Sequence, residues 1–222
     1  AWVAHPSLVE PVKNIFEKGI AVAAEKANEN GFPSLSALGN KTLNAYVMGI
    51  GRAGGKAILL GEHFVVHGCP ALAIPVHTRT IEVRREQGPG AWNVAPEIAA
   101  YLRELVVATG EDPDAMRLHV RSDLPMGQGL GGSAALAVAW LRASGRQGSD
   151  EIRRAAHELE RIAHGSPSGI DDTVVAHGAA IHFERGVGAR PLEIAPNLQF
   201  WIATTGRASS TREAVAAVSA EQ

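Results

Sequence analysis

The sequence has a single cysteine, Cys69, in 222 residues. One thiol excludes an internal disulfide and any cysteine-rich zinc module, and it suits a reducing compartment. Long apolar runs are also missing: the longest without a charge, Ala134 to Leu141, is far short of the ~20 residues a membrane-spanning helix requires. Glu10, Lys13, Glu17 and Lys18 interrupt anything that could act as a secretory leader, so a cytoplasmic protein with no membrane association is expected. Nor is there an excess of positive charge. Lys+Arg of 21 against Asp+Glu of 23 gives a formal charge of -2, which leaves no net field to gather nucleic acid. Aromatic residues make up only 5%, beside 45% hydrophobic and 20% charged residues. That composition is of an ordinary globular chain, stabilised by core burial.

The first 47 residues read differently from the rest. Leu8, Val12, Ile15, Phe16 and Ile20 recur at helical spacing before Gly31, Pro33 and Gly39 break the pattern, and no chemistry is visible there. From Lys56 onward strands and helices alternate. Ala57 to Leu60 and Ala71 to Val76 are short apolar runs, and Thr80 to Arg84 alternates at period two, which predicts three strands. Pro96 to Ala108 predicts a helix, Met116 to Arg121 a half-buried strand, and Ala134 to Arg142 a helix of small apolar residues. Asp150 to His164 carries Ile152, Ala155, Ala156, Leu159, Ile162 and Ala163 as one stripe, stopped by Gly165 and Pro167. Ala179 to Phe183 and Leu198 to Ala203 read as further strands, and Ser210 with Glu213 forms a capping box for a last helix. The pattern is mixed α and β without internal repeats.

The most informative stretch is Leu124 to Ala135, which holds Gly127, Gly129, Gly131 and Gly132 between a strand and a helix. Glycines let the backbone approach a ligand, and the free N–H groups of the helix start favour an anion, so this is read as a phosphate-binding turn. Gly127, Gly129 and Gly132 satisfy G-x-G-x-x-G, but the acidic residue a dinucleotide fold places about twenty positions on is missing at a strand end. A Walker loop fails too, because Ser133 stands where its lysine belongs and Gly55-Lys56 is followed by Ala57.

Lys56 follows a Gly51 to Gly55 stretch read as a turn and would project from a rigid strand start. After that strand come Glu62, His63 and His67; the two histidines lack an H-E-x-x-H pattern, so a substrate contact fits better than zinc. Glu160 borders the apolar stripe of its helix, where it either pairs with a neighbour such as Arg161 or coordinates a cation; the residues leave both open. His164 to Asp172 reads as a tight polar turn with two hydroxyls and two carboxylates. An anion cradle, a lysine and carboxylates together supply the parts that phosphoryl transfer needs.

Three ordered stretches, Ile58 to Gly68, Pro125 to Ala135 and His164 to Asp171, resemble the successive motifs of the GHMP small-molecule kinases, most closely the mevalonate kinases among them. The G-E-H-x-V-V-x-G form followed by Pro70 and Ala71 is what points to that branch. The resemblance runs from about Gly49 to Val218 and implies an α+β fold, similar to the second domain of ribosomal protein S5, with a left-handed βαβ unit carrying the loop. Residues 48–222 would then be the ATP-binding N-terminal domain, preceded by a leading helical segment over 1–47. It implies that ATP donates phosphate to the primary hydroxyl of mevalonate, with Asp171 as base and Lys56 as the adjacent cation. Pro125, Gly127, Gln128, Gly129, Leu130, Gly131, Gly132, Ser133 and Ala134 would wrap the nucleotide phosphates. Ser133 and Glu160 would hold Mg²⁺, and Glu62, His63 and Ser168 would line the mevalonate. The resemblance leaves a homodimer open as the assembly.

Some positions depart from the family pattern. Gly132 replaces the first of two serines usual in the loop, Ser166 stands where asparagine is common, and Asp172 where asparagine often follows the catalytic acid. The glycine-rich motif of the C-terminal half is absent, so a truncated chain is expected. Three other readings stay open: another GHMP sugar or small-alcohol kinase, a non-catalytic nucleotide-binding module, and a serine hydrolase. The last would use Ser133 with Asp171 or Asp172 and His177 or His182.

Overall fold

Buried Ala71, Ala73, Ile74, Val76, Ile81 and Val83 make one long strand, β2 (Ala71–Gln87), the spine on which the sheet is assembled. The computed structural model describes residues 49–206 except 63, 66, 67, 165, 166, 196 and 205, all within the compact unit Met48–Gln222. The leading helical pattern, the Ser210–Glu213 capping box, His63 and His67 lie outside the described residues.

β1 (Gly49–Leu60) runs antiparallel along β2 with a register shift between Gly54 and Gly55: Gly54 faces Thr80, whereas Gly55 faces Val76. The residues skipped on β2, His77 to Arg79, interrupt the apolar pattern, so two predicted strands are one strand with a bulge. β3 (Met116–Ser122) pairs with Ile81 to Gln87 and β4 (Ile181–Glu184) with Ala71 to Ala73, both antiparallel. β5 (Gly188–Pro191), not foreseen, closes a hairpin on β4.

Among the described residues four α-helices and a short 3-10 turn at Pro113–Ala115 complete the order: α1 (Pro96–Ala108), α2 (Gly132–Ala143), α3 (Ser149–His164) and α4 (Ile170–His177). α2 is the central one, in contact with β1, β2 and all three other helices, and Ala134 to Leu141 are fully buried. Trp140 within it donates its indole N–H to Thr109 Oγ1 at 3.1 Å, which satisfies the one polar atom it carries into the core. Mixed secondary structure around an antiparallel sheet makes this an α+β fold.

The structure corrects several of these readings. Gly51 to Gly55 is not a turn but the middle of β1. A Cβ on Gly51 would run into the Ala139 carbonyl oxygen of α2, so this glycine serves close strand–helix packing instead of chain reversal. The polar stretch before Asp172 does not end as a turn, because Ile170, Asp171 and Asp172 open α4, where carboxylates are favoured by the helix dipole. Leu198 to Ala203 is not a strand, and its Leu198, Phe200, Trp201 and Ile202 are exposed without a sheet partner among the described residues. On α3, Ile162 also departs from the predicted stripe and faces solvent.

Candidate active site

The glycine turn is built from three successive left-handed glycines, Gly127, Gly129 and Gly131, with φ of 69°, 78° and 70°. Gly131 caps the start of α2 without a side-chain cap, so the N–H groups of the first helical turn, which have no intrahelical partners, stand beside the glycine turn. The turn is tied to the sheet by a hydrogen bond from the Lys56 backbone N–H to the Leu130 carbonyl at 3.0 Å. It also packs directly on the lysine: a Cβ on Gly131 would lie 2.7 Å from Lys56 Cγ. Pro125 and Gln128 are half-buried, Leu130 and Ala134 are buried, and a Cβ on Gly132 would press on the Met126 sulfur at 2.7 Å.

Lys56 is therefore not at a strand start but inside β1, and it is 3% exposed. A buried ammonium needs a counter-charge. Asp171 supplies it: Lys56 Nζ lies 3.2 Å from Asp171 Oδ1, although 115 residues separate the two in sequence. The Asp171 side chain remains 33% exposed, so one face of the pair is open to an incoming molecule. Gly169, with φ of 89°, turns the chain into α4, and Ser168 Oγ accepts from the Ile170 N–H at 3.4 Å.

Glu160 resolves the choice left by the sequence in one respect. Arg161 pairs with Glu158 at 2.8 Å, while Glu160 points inward, 5% exposed. Its Oε1 accepts from the Tyr101 hydroxyl at 2.8 Å and its Oε2 from Ser133 Oγ at 3.2 Å. Burial pushes the Glu160 carboxyl up to about 7, with the nearby Asp171 charge adding to this and the Tyr101 and Ser133 hydrogen bonds opposing it. The Tyr101 phenol is raised as well, by burial first and then by Glu160. A hydroxyl and a carboxylate converging in this way are hard oxygen donors of the kind Mg²⁺ takes. The donors fit such an ion, and among the described residues no group of three or more His, Cys, Asp or Glu side chains forms a fuller cage.

The structure thus brings Lys56, Asp171, Ser133, Glu160 and the glycine turn into one region and leaves others apart. Glu62 is exposed in the turn after β1, and no hydrogen bond or ion pair among the described residues ties it to Lys56 or Asp171. The hydrolase arrangement is not assembled: Ser133 donates to Glu160, His177 pairs with Asp150 at 3.4 Å, and His182 lies 3.5 Å from Arg190. Two contributors were missed. Tyr101 lies three residues after Ile98 on the buried stripe of α1, and a tyrosine on such a stripe needs a partner for its hydroxyl. His157 falls inside the α3 stripe and holds Asp172 Oδ2 at 3.0 Å.

Residues 93–180, from the segment before α1 to the start of β4, match the family described as GHMP kinases N terminal domain. The mevalonate kinase of Thermococcus gammatolerans is 33% identical over 199 residues, covering 73% of this chain and 59% of that protein. The crystal structure of mevalonate kinase from methicillin-resistant Staphylococcus aureus superposes with a TM-score of 0.53 at 31% identity, covering 66% of this chain and 55% of that one. The crystal structure of L. major mevalonate kinase in complex with R-mevalonate superposes with a TM-score of 0.55 at 26% identity, covering 66% of this chain and 53% of that one. The chain spans between half and two thirds of the length of these relatives. Residues 93–180, which hold the glycine turn, Ser133, Glu160 and Asp171, thus carry a match to the GHMP kinase N-terminal domain, and the chain around them is similar to mevalonate kinases in sequence and in α+β fold.

Proposed function

We propose that the protein transfers the γ-phosphoryl group of ATP to the primary hydroxyl of mevalonate, giving 5-phosphomevalonate and ADP in isoprenoid precursor synthesis. The observation that carries this reading is the Lys56–Asp171 pair, 3.2 Å across and half open, fastened to a helix-capping glycine turn. In this reading the backbone from Gly127 to Gly132 receives the nucleotide phosphates, with Pro125, Gln128, Leu130 and Ala134 shaping the turn. Asp171 takes the hydroxyl proton as the alcohol oxygen bonds to the γ-phosphorus and the bond to the β-phosphate oxygen breaks. Lys56 holds Asp171 in place and offsets charge building on the transferred group. Ser133 and Glu160 would hold Mg²⁺, which when bound neutralises and orients the phosphate oxygens. Ser168, Glu62 and His63 are assigned to the alcohol side of the site. The reaction is placed in the cytoplasm, with a small molecule as the partner.

A second reading is a module that binds nucleotide through the glycine turn without turning it over. Product analysis separates the two. Incubated with MgATP and a panel of mevalonate, galactose and a p-nitrophenyl ester, the protein is expected to form ADP and phosphomevalonate in equal amounts and to leave the other two intact. ATP binding without any phosphorylated product supports the module. Phosphorylated galactose, or ester cleavage, refutes the mevalonate assignment.

A further inference from the structure

The two acids of the site sit on different helices, Glu160 on α3 and Asp171 on α4, and these helices are joined by two histidine–carboxylate bridges. The outer bridge links His177 Nε2 to Asp150 Oδ1 at 3.4 Å, with the carboxylate largely exposed. Exposed pairs of that kind contribute little. The inner bridge differs: His157 Nδ1 and Asp172 Oδ2 are 3.0 Å apart, and the Asp172 side chain is 1% exposed. A carboxylate so deeply buried is tolerated only with a partner. Asp172 directly follows Asp171, and successive helical residues project about 100° apart. Asp171 thus turns toward Lys56 while Asp172 turns toward His157.

Two adjacent carboxylates would otherwise repel each other and compete for Lys56. The charged groups around Asp172 are His157 and Glu160 from α3, Asp171 from its own helix and, across Asp171, Lys56 from β1. Burial raises the Asp172 carboxyl and the Asp171 charge adds to that, whereas His157 opposes it. His157 also reaches the turn into α4, since a Cβ on Gly169 would lie 3.6 Å from its Cε1. The imidazole therefore lies against both Asp172 and the glycine turn that leads into the helix.

We propose that His157 and Asp172 are a positioning pair, which sets α3 against α4 and engages the second carboxylate so that Asp171 alone faces Lys56. The kinetic consequence rests on the kinase reading above; the structural one does not. The test uses the full chain with His157→Ala, Asp172→Asn and the double variant. His157→Ala leaves a bare buried carboxylate beside Asp171, so kcat for mevalonate phosphorylation is expected to fall at least tenfold with the KM for ATP within twofold. Asp172→Asn removes the stranded charge, and the double variant is expected to recover to within threefold of Asp172→Asn alone. A spectroscopic readout runs alongside. In protein labelled at lysine Cε, with the Lys56 signal assigned by Lys56→Arg, His157→Ala is expected to move that signal toward its position in Asp171→Ala, and the double variant to return it. If His157→Ala does not fold, His157→Gln is read in the same way. A Lys56 signal unmoved by loss of His157, or a double variant that is not restored, overturns the positioning role. Absence of turnover in the unaltered chain counts against the kinase reading alone, and the lysine signal still decides the pair.

Discussion

Gly131 is the point where the glycine turn, the start of α2 and the buried lysine meet, and Gly131→Ala perturbs all three together. Its φ of 70° is strained for any L side chain, and the new methyl would sit 2.7 Å from Lys56 Cγ and 3.3 Å from Cε. Gly129→Ala is the control, because its φ of 78° imposes the same strain while nothing lies within 4 Å of the added carbon. Left-handed backbone costs about 1–2 kcal/mol without glycine, so Gly129→Ala should lose roughly that much. Overpacking adds about 1–3 kcal/mol, and Gly131→Ala should lose that in addition, since Lys56 is buried and held at its own backbone by Leu130. Urea unfolding reads the difference: with a slope of about 2 kcal/mol/M, the Gly131 variant should melt about 1 M earlier than the Gly129 variant. Nucleotide binding should weaken more in the Gly131 variant, because relieving the clash pushes the lysine off Asp171. Equal midpoints for the two variants would refute the close packing of turn on lysine.

Two further predictions concern Glu160. Its carboxyl sits at about 7 in the folded chain against 4.5 in the unfolded one, so the folded state holds the extra proton between those values. The stability this contributes is present below about 4.5 and is lost as pH rises through about 7, a change on the order of 3 kcal/mol without bound cation. Glu160→Gln should flatten that part of the unfolding-versus-pH curve; a curve parallel to that of the unaltered chain would contradict it. Tyr101→Phe removes the 2.8 Å donor to Glu160 and should cost about 1.5–3 kcal/mol above pH 7, where the acceptor is charged, and less below pH 5. A cost independent of pH would show that the tyrosine acts through packing instead.

The parts of the site closest to secondary-structure boundaries were legible from local pattern. The glycine turn announced itself because four glycines stand directly before a helix of small residues, and α1, β3, α2 and α3 fell within a residue or two of their periodic stretches. Glycine misled in β1, where Gly51 answers to the Ala139 carbonyl, a contact across 88 residues that no local rule can see. The opening of α4 was hidden for a related reason: Ser168, Gly169, Asp171 and Asp172 are turn residues and helix-start residues alike, and only the buried Val174 and Val175 beyond them decide. The apolar run at 198–203 has strand composition but no neighbouring strand in the described sheet to pair with. Glu160 was ambiguous because its partners come from elsewhere, Tyr101 from α1 and Ser133 from α2, while the nearby Arg161 turned to Glu158. His157 carries no local signal of its role, because its partner Asp172 comes from the next helix.

The central claim is that Asp171 accepts a proton during phosphoryl transfer at a site that binds nucleotide through the glycine turn. The direct measurement compares Asp171→Ala with the unaltered chain for MgATP affinity by calorimetry and for mevalonate-dependent ADP formation. A base of this kind is worth about 10²–10⁴ in rate, so turnover should fall by at least ~100-fold while the affinity for MgATP stays within a few-fold. Turnover that survives the substitution, or nucleotide binding lost along with it, would contradict the account.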